Sequence, residues 1–139
     1  MTESNNYNEK ALTFLGDCNE QLGDLDQAKN YYNQTLTINP QNGEAINNLA
    51  ACNFYNGNIN EGMRLYDWSL TINKNNSNTR YYLSLCQLAQ SNYKEGWLNF
   101  DYRWLADGFN SVKLKSSLPK FKLDQNKKNL LLWGEQGLG

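Results

Sequence analysis

The stretch Leu36-Thr-Ile-Asn39 recurs unchanged as Leu70-Thr-Ile-Asn73, 34 residues further along the chain. Several other residue types keep the same spacing, namely Cys18, Cys52 and Cys86, Asn19 and Asn53, Tyr32 and Tyr66, and Gly23 and Gly57. One period shared by unrelated residue types indicates an internal repeat. We therefore divide the chain into a polar N-terminal segment, residues 1–8, and three repeats, residues 9–42, 43–76 and 77–110.

Small and bulky residues alternate within each repeat in the way that two packed helices require. Where helices cross at close range, a large side chain would hold them apart. Small residues fill the eighth position (Gly16, Ala50, Ser84) and the twentieth (Ala28, Gly62, Gly96). Bulky residues stand beside them at the seventh position (Leu15, Leu49, Leu83) and the twenty-fourth (Tyr32, Tyr66, Phe100). Each repeat is therefore predicted to be a helix pair.

The turn inside each repeat carries its own signals. The first helix is predicted to end at Gly23, Gly57 or Ser91, because glycine tolerates the left-handed conformation at a helix C-terminus. Asp24, Asn58 and Asn92 follow as N-caps of the second helix. Three residues later come Gln27, Glu61 and Glu95, which completes a pattern similar to a capping box.

Over residues 9 to about 106 this pattern resembles the tetratricopeptide repeat family. The resemblance implies an all-α fold, a right-handed superhelical stack of about three antiparallel helix pairs, followed here by an irregular C-terminal tail. The third repeat diverges, because Arg103 occupies a position that holds Thr35 and Ser69 in the first two. Its second helix is expected to leave the standard packing or to cap the stack. Asn19, Asn53 and Gln87 replace a residue that is often aromatic, and they either hydrogen-bond between helices or face a wetter groove.

Composition excludes several classes of function. The 13 basic and 14 acidic side chains nearly cancel, so no footprint for nucleic acid is present. No stretch is apolar enough to span a membrane, and a cytoplasmic protein is expected. With no histidine, Ser-His and Cys-His catalysis are excluded. The cysteines are expected to be buried rather than metal ligands, Asp24 to be a cap, and Asp17 to be exposed. We predict no catalytic residue, cofactor or metal, and no enzyme activity in this chain.

In the family the first helices of successive repeats line a concave surface. The matching positions predict a groove that binds a protein or peptide, with polar residues leading to aromatic ones: Asn47, Asn48, Ala51, Phe54, Tyr55, Asn78, Tyr81, Tyr82 and Leu85. Phe54 and Tyr82 could instead pack on a neighbouring helix. The family's basic clamp for a carboxylate tail is not matched, so we expect a neutral or weakly basic peptide.

The tail has a different character. Residues 107–129 are predicted to be a linker, and residues 130–139, Leu-Leu-Leu-Trp-Gly-Glu-Gln-Gly-Leu-Gly, a strand with a glycine-rich turn. Together with residues 96–104, this tail resembles the junction in bacterial repeat proteins fused to a glycosyltransferase-like domain with two Rossmann-type halves. That resemblance implies, as the alternative, an N-terminal targeting or oligomerisation module of a larger GT-B-type glycosyltransferase. Otherwise the strand could dock, or pair with a second copy in a homodimer.

Overall fold

The computed structural model describes residues 3–107 and 109, and the array 3–107 is considered by itself. It contains six α-helices in three antiparallel pairs, followed by one 3₁₀ helix. Their bounds are α1 Glu3–Gln21, α2 Leu25–Ile38, α3 Gly43–Tyr55, α4 Ile59–Ile72, α5 Ser77–Ala89, α6 Tyr93–Phe100 and the 3₁₀ helix Asp101–Leu105. The predicted all-α stack is confirmed. Apart from residues 107 and 109, the predicted linker, strand and glycine-rich turn lie outside the described residues.

The turns inside the repeats are as predicted. Gly23 and Gly57 have φ of 82°, and Ser91, which replaces glycine, has φ of 60°. The residue after each of them is hydrogen-bonded through its backbone to the preceding helix. The backbone N–H groups of Asp24, Asn58 and Asn92 donate to the carbonyl oxygens of the eleventh repeat position, Asn19, Asn53 and Gln87, at 2.9, 2.8 and 2.9 Å. The three repeats thus share one backbone conformation and one hydrogen bond at this turn.

The N-caps are confirmed in position and only partly in chemistry. Among the three predicted caps only Asp24 makes the side-chain bond, accepting the Gln27 backbone N–H at 3.1 Å. Glu61 is drawn away from the predicted capping box because its carboxylate pairs with Arg64. The sequence reading missed two caps between repeats. Asn42 and Asn76 accept the backbone N–H groups of Ala45 and Thr79, at 2.8 and 3.1 Å, and so begin α3 and α5.

The core runs along the contacts between successive helices. Both sets of predicted small residues are buried. At Gly16 a methyl group would lie 2.7 Å from Tyr32 Cδ1, so the close approach of α1 and α2 depends on the missing side chain. The largest fully buried residues are Tyr32, Tyr66 and Ile46. Tyrosine rings from the second helices therefore fill the space that the small residues leave.

The polar residues at the eleventh repeat position stay mostly within their own helices. Asn19 and Asn53 donate to the carbonyl oxygens of Leu15 and Leu49, at 2.7 and 2.8 Å. Only Gln87 links two helices, because its Oε1 accepts a hydrogen bond of 3.0 Å from Asn99 on α6. Of the two alternatives, bonding between helices therefore holds in the third repeat alone.

The third repeat leaves the standard pattern, as Arg103 predicts. α6 ends at Phe100 and the chain tightens into the 3₁₀ helix. The Arg103 side chain is buried, and its Nη1 donates to the Phe100 carbonyl oxygen at 2.9 Å. Its guanidinium lies over the rings of Phe100 and Trp104, 4.3 and 4.6 Å from their centroids. The Arg103 side chain thus packs on neighbouring residues of its own segment. Its size is incompatible with the close helix crossing that Thr35 and Ser69 allow in the first two repeats.

The first helix begins before the first repeat. Residues 3–8 of the predicted polar segment are helical and extend α1. At the start of the repeat, the buried carboxylate of Glu9 accepts hydrogen bonds from Asn39 and Asn42, at 2.9 and 2.6 Å. Both asparagines belong to the turn between α2 and α3. The Glu9 carboxylate therefore ties the first repeat to the start of the second.

Candidate functional site

The described array contains a groove of about 620 Å³ between the first helices of the second and third repeats. α3 and α5 form its walls, and the C-terminal half of α4 forms its floor. The lining residues are Glu20, Gly43, Glu44, Asn47, Asn48, Ala51, Tyr55, Tyr66, Ser69, Ile72, Asn73, Asn76, Asn78 and Tyr82. Six of the nine predicted groove residues are among them: Asn47, Asn48, Ala51, Tyr55, Asn78 and Tyr82.

The other three predicted residues lie elsewhere. Phe54 is half-buried against the α3–α4 core, with its ring edge-on to Tyr55 at 5.6 Å. The Tyr81 ring lies 5.7 Å from that of Phe100 and thus faces α6. Leu85 is half-buried on the same helix and is not among the lining residues. α5 is the last of the first helices in the described array. Its far side therefore meets α6 and the 3₁₀ helix rather than another first helix.

The floor of the groove was not predicted. Tyr66, Ser69 and Ile72 come from α4, a second helix, and Asn73 is its C-cap, whereas the prediction used first helices only. Ser69 is the signal that could have revealed the floor. It occupies the small twenty-seventh repeat position, where a short side chain leaves room beneath a ligand.

The groove asparagines differ in how far the protein already satisfies them. Both ends of the Asn78 amide are engaged by Asp107, since its Nδ2 donates to the carboxylate at 2.9 Å and its Oδ1 accepts the backbone N–H at 2.7 Å. Asn47 accepts from Thr79 Oγ1 at 3.0 Å, and Asn48 Nδ2 donates to Asp17 at 2.9 Å. Within the described array, Asn47 Nδ2 therefore remains available to a ligand as a donor group and Asn48 Oδ1 as an acceptor.

One end of the groove is acidic. A second hollow of about 380 Å³, lined by Asp17, Glu20, Gln21 and Asn48, shares Glu20 and Asn48 with the groove. The expectation that Asp17 is exposed is wrong. It is half-buried because Tyr32 and Asn48 both donate to its carboxylate, each at 2.9 Å.

The Tyr32 hydroxyl stands between two carboxylates, Asp17 and Glu20, with 2.9 Å to an oxygen of each. A hydroxyl carries one proton, so it donates to one carboxylate at a time. Burial raises the pKa of the Tyr32 phenol well above its usual range, and the hydrogen bonds to Asp17 and Glu20 raise it further. The acidic end therefore keeps surplus acceptor capacity, which suits a ligand that brings donors.

Tyrosine rings form the apolar part of the groove. Tyr66 is buried in the floor, and the Tyr82 ring stacks on it with centroids 6.2 Å apart and planes 15° apart. Tyr55 remains 64% exposed at the wall. Burial, followed by the neighbouring Tyr82, raises the pKa of the Tyr55 phenol. Both exposed rings offer apolar area together with a hydrogen-bonding tip.

The cysteines lie away from the groove. Cys52 and Cys86 are buried, and burial raises the pKa of their thiols to about 12 and about 11. Thiols with such values are protonated near neutral pH and are poor nucleophiles. Residues 3–107 hold no group of three side chains suited to a metal ion. No helix in that range is long and apolar enough to cross a bilayer.

Comparison with known families decides what kind of repeat this is. The family model of the tetratricopeptide repeat matches residues 9–42, the first of the three repeats. The chain carries a tetratricopeptide-repeat array. Its second and third pairs repeat the geometry of the first, with equivalent turns at Gly57 and Ser91. A comparison with curated protein sequences gives no match.

Solved tetratricopeptide domains share the fold. The Arabidopsis OM64 domain has a TM-score of 0.70 and 17% identity, with 76% of this chain and 88% of that chain covered. The first such domain of Spaghetti (RPAP3), bound to the HSP90 peptide SRMEEVD, has a TM-score of 0.66 and 14% identity, with 69% of this chain and 76% of that chain covered. An O-GlcNAc transferase mutant of Thermobaculum terrenum has a TM-score of 0.70 and 20% identity, with 73% of this chain and 20% of that chain covered. This chain thus spans about a fifth of that transferase.

Proposed function

We propose that this chain is a protein-interaction scaffold whose groove binds an extended peptide segment, neutral or basic, of a partner protein. The observation that carries the proposal is the make-up of the groove. Its described lining has amides, tyrosines and carboxylates and no lysine or arginine. Similar tetratricopeptide domains support the general role, since that of Spaghetti is bound to a peptide.

The walls provide the contacts that an extended peptide needs. A peptide backbone presents a carbonyl oxygen and an N–H at each residue. Asn47 Nδ2 can donate to the first and Asn48 Oδ1 can accept from the second. Tyr55 and Tyr82 add rigid apolar area at low cost in side-chain entropy. The groove therefore combines main-chain recognition with room for apolar side chains.

Charge sets the preference among peptides. Asp17, Glu20 and Glu44 line the groove and its adjoining hollow, and no cation among the lining residues offsets them. The peptide bound to Spaghetti, SRMEEVD, has three acidic side chains and one basic one. Such a ligand would meet like charges here, which oppose binding. A lysine or arginine near Glu20 would instead be favoured.

Fluorescence anisotropy with labelled ten-residue peptides tests the proposal. All the peptides have the same sequence of alternating apolar and polar positions. They differ only in whether the polar positions hold Lys, Gln or Glu. We expect the Lys and Gln peptides to bind and the Glu peptide not to bind. Tyr55→Ala should weaken binding at least about 10-fold, as the loss of an aromatic anchor does. Leu98→Ala, which changes an exposed residue on α6 outside the groove, is the matched control and should leave affinity unchanged.

Two results would reject the groove. One is binding of the Glu peptide in preference to the Lys peptide. The other is a Lys peptide whose affinity does not change in Tyr55→Ala or in Asn47→Ala. Because both side chains are at least partly exposed, neither substitution should unfold the array, and circular dichroism would check this.

A second candidate function is the repeat module of a larger GT-B-type glycosyltransferase. The sequence resemblance of residues 96–139 favours it, and so does the structural similarity to the repeat array of the Thermobaculum terrenum O-GlcNAc transferase. Sequencing the gene beyond the codon for Gly139 tests it directly. An open frame with further alternating strands and helices supports this role, and a stop codon rejects it. The predicted homodimer through residues 130–133 also belongs to this tail and stays a prediction.

A further inference from the structure

α1, continued by Leu22 just past its end, has a second apolar face that the array leaves mostly exposed. Glu9, Thr13 and Gly16 form its buried side. On the opposite side, at helical spacing, lies a stripe of six apolar or weakly polar residues: Tyr7, Ala11, Phe14, Leu15, Cys18 and Leu22. Tyr7, Phe14 and Leu22 are 74%, 66% and 83% exposed. We call this set the outer stripe.

The repeat itself identifies the central part of the outer stripe, Ala11, Leu15 and Cys18, as a packing surface. Ala11 is exposed, whereas Ala45 and Thr79, its equivalents 34 and 68 residues later, are fully buried. Leu15 is 42% exposed, whereas Leu49 and Leu83 are 6% and 4% exposed. Cys18 is only half-buried, whereas Cys52 and Cys86 are fully buried. In the second and third repeats, the second helix of the preceding repeat adjoins this side. In the first repeat, the same surface is left open.

We infer that the outer stripe binds the outer stripe of a second copy of this chain, as an antiparallel homodimer. The spacing of the six residues is symmetric about the midpoint between Phe14 and Leu15. Two antiparallel copies therefore pair Tyr7 with Leu22, Ala11 with Cys18, and Phe14 with Leu15. The small residues Ala11 and Cys18 oppose each other, which lets the two helix axes approach closely. The bulky pairs lie at the centre and at both ends of the interface.

Charge and area support a second copy as the occupant. None of the six residues is charged, so a stripe that meets itself brings no like charges together. From the exposed fractions of Tyr7, Phe14, Leu15 and Leu22, the stripe can bury at most roughly 500 Å² per copy, or about 1,000 Å² for a pair. That area reaches the threshold for a specific interface. The groove is lined mainly by α3, α4 and α5, so dimerisation leaves it open.

The opposite end of the array is a poorer partner for the stripe. Position 103, in the 3₁₀ helix that follows the last helix pair, holds a buried arginine whose guanidinium lies over the rings of Phe100 and Trp104. Its equivalents Thr35 and Ser69 are the buried small residues on the second helices of the first two repeats. The geometry therefore favours two stripes in contact over a head-to-tail chain of copies.

Sedimentation equilibrium of the full chain tests the inference. The wild type should have twice the monomer mass of 16.0 kDa at micromolar concentration. Ala11→Glu places a charge at the small-residue contact and should raise the dissociation constant at least about 10-fold. It removes nothing from the fold, because Ala11 is exposed. Leu98→Glu changes an exposed leucine on α6, equivalent to the exposed Arg64, and should leave the dimer intact.

Crosslinking tests the direction of the helices. Ala11→Cys should give a disulfide-linked dimer under mild oxidation, through Cys18 of the other copy, and Ala11→Cys with Cys18→Ser should not. Within one helix the two positions are seven residues, about 10 Å, apart, too far for a disulfide. A wild type that is monomeric, a dimer that survives Ala11→Glu, or one lost in Leu98→Glu would overturn the inference. Crosslinking of the wild type through Cys18 alone would overturn the antiparallel arrangement.

Discussion

The hydroxyl of Tyr32, on α2, lies 2.9 Å from a carboxylate oxygen of Asp17, on α1, and Asn48 of α3 donates to the same oxygen at the same distance. One carboxylate oxygen thus receives donors from two other helices and joins the first repeat to the second. The same Tyr32 ring fills the space above Gly16. The packing of the first repeat and the acidic end of the groove therefore share one residue.

Tyr32→Phe should lower the free energy of unfolding at pH 7 by about 1–2 kcal/mol, because two half-buried carboxylates lose a donor. It should also change the alkaline limit of stability. The folded pKa of the phenol lies above its unfolded value near 10.0, so its contribution is present below pH 10 and is lost as pH rises further. Urea titrations between pH 7 and 11 would measure both effects.

The variant that lacks the phenol should lose less stability above pH 10 than the wild type. Tyr93→Phe serves as a control, because its side chain is exposed and its hydroxyl makes only a long hydrogen bond of 3.4 Å to Ser91 Oγ. Parallel pH profiles for wild type and Tyr32→Phe would contradict the assigned role of the hydroxyl.

Gly16→Ala should destabilise the array although alanine is the better helix former. Its methyl group would lie 2.7 Å from Tyr32 Cδ1 and 2.8 Å from Cζ, and the ring is buried and held by its hydroxyl. Overpacking of this kind costs about 1–3 kcal/mol, against a helix-propensity gain of about 1 kcal/mol. Gly43→Ala, where a methyl group meets nothing within 4 Å, should be neutral or slightly stabilising. Thermal denaturation of the pair separates the clash from propensity.

The two kinds of asparagine cap should differ in their contribution to stability. Asn76 accepts the Thr79 backbone N–H at 3.1 Å, whereas Asn58 makes no side-chain capping bond. Asn76→Ala should therefore cost about 1 kcal/mol, and Asn58→Ala only a few tenths. Urea denaturation of both variants measures the difference. Equal losses would mean that cap position alone, without the hydrogen bond, sets the stability of these helices.

The sequence predicted best those features that its 34-residue period repeats. The left-handed turn at Gly23 and Gly57, and the small residues against Tyr32 and Tyr66, follow from backbone geometry that each repeat must reproduce. Arg103, as an exception to that period, correctly marked the end of regular packing. A period fixes positions along a helix, and positions determine which face is buried.

Contacts without a periodic counterpart were not predictable in the same way. The bonds of Glu9 to Asn39 and Asn42, and of Asn78 to Asp107, each join residues about 30 apart and occur once. Nothing in the local sequence of either partner signals them. Tyr81 faces α6 and not the groove for a related reason, since the last described repeat has no further first helix to complete a groove beside it. Side-chain pairing at the ends of an array depends on the one arrangement that forms there.

Ser91→Gly should stabilise the array. Ser91 is the one described non-glycine residue with positive φ, at 60°, and it occupies the position that Gly23 and Gly57 fill at 82°. A side chain there costs about 1 kcal/mol or more, whereas glycine adopts this conformation freely. Little is lost in return, because the Ser91 hydroxyl accepts only a long bond of 3.4 Å from exposed Tyr93. We expect a gain of about 0.5–1 kcal/mol by urea denaturation. Gly57→Ala makes the converse change at the equivalent turn and should lose a similar amount, so a loss in Ser91→Gly would show that the serine side chain, and not its backbone, determines this turn.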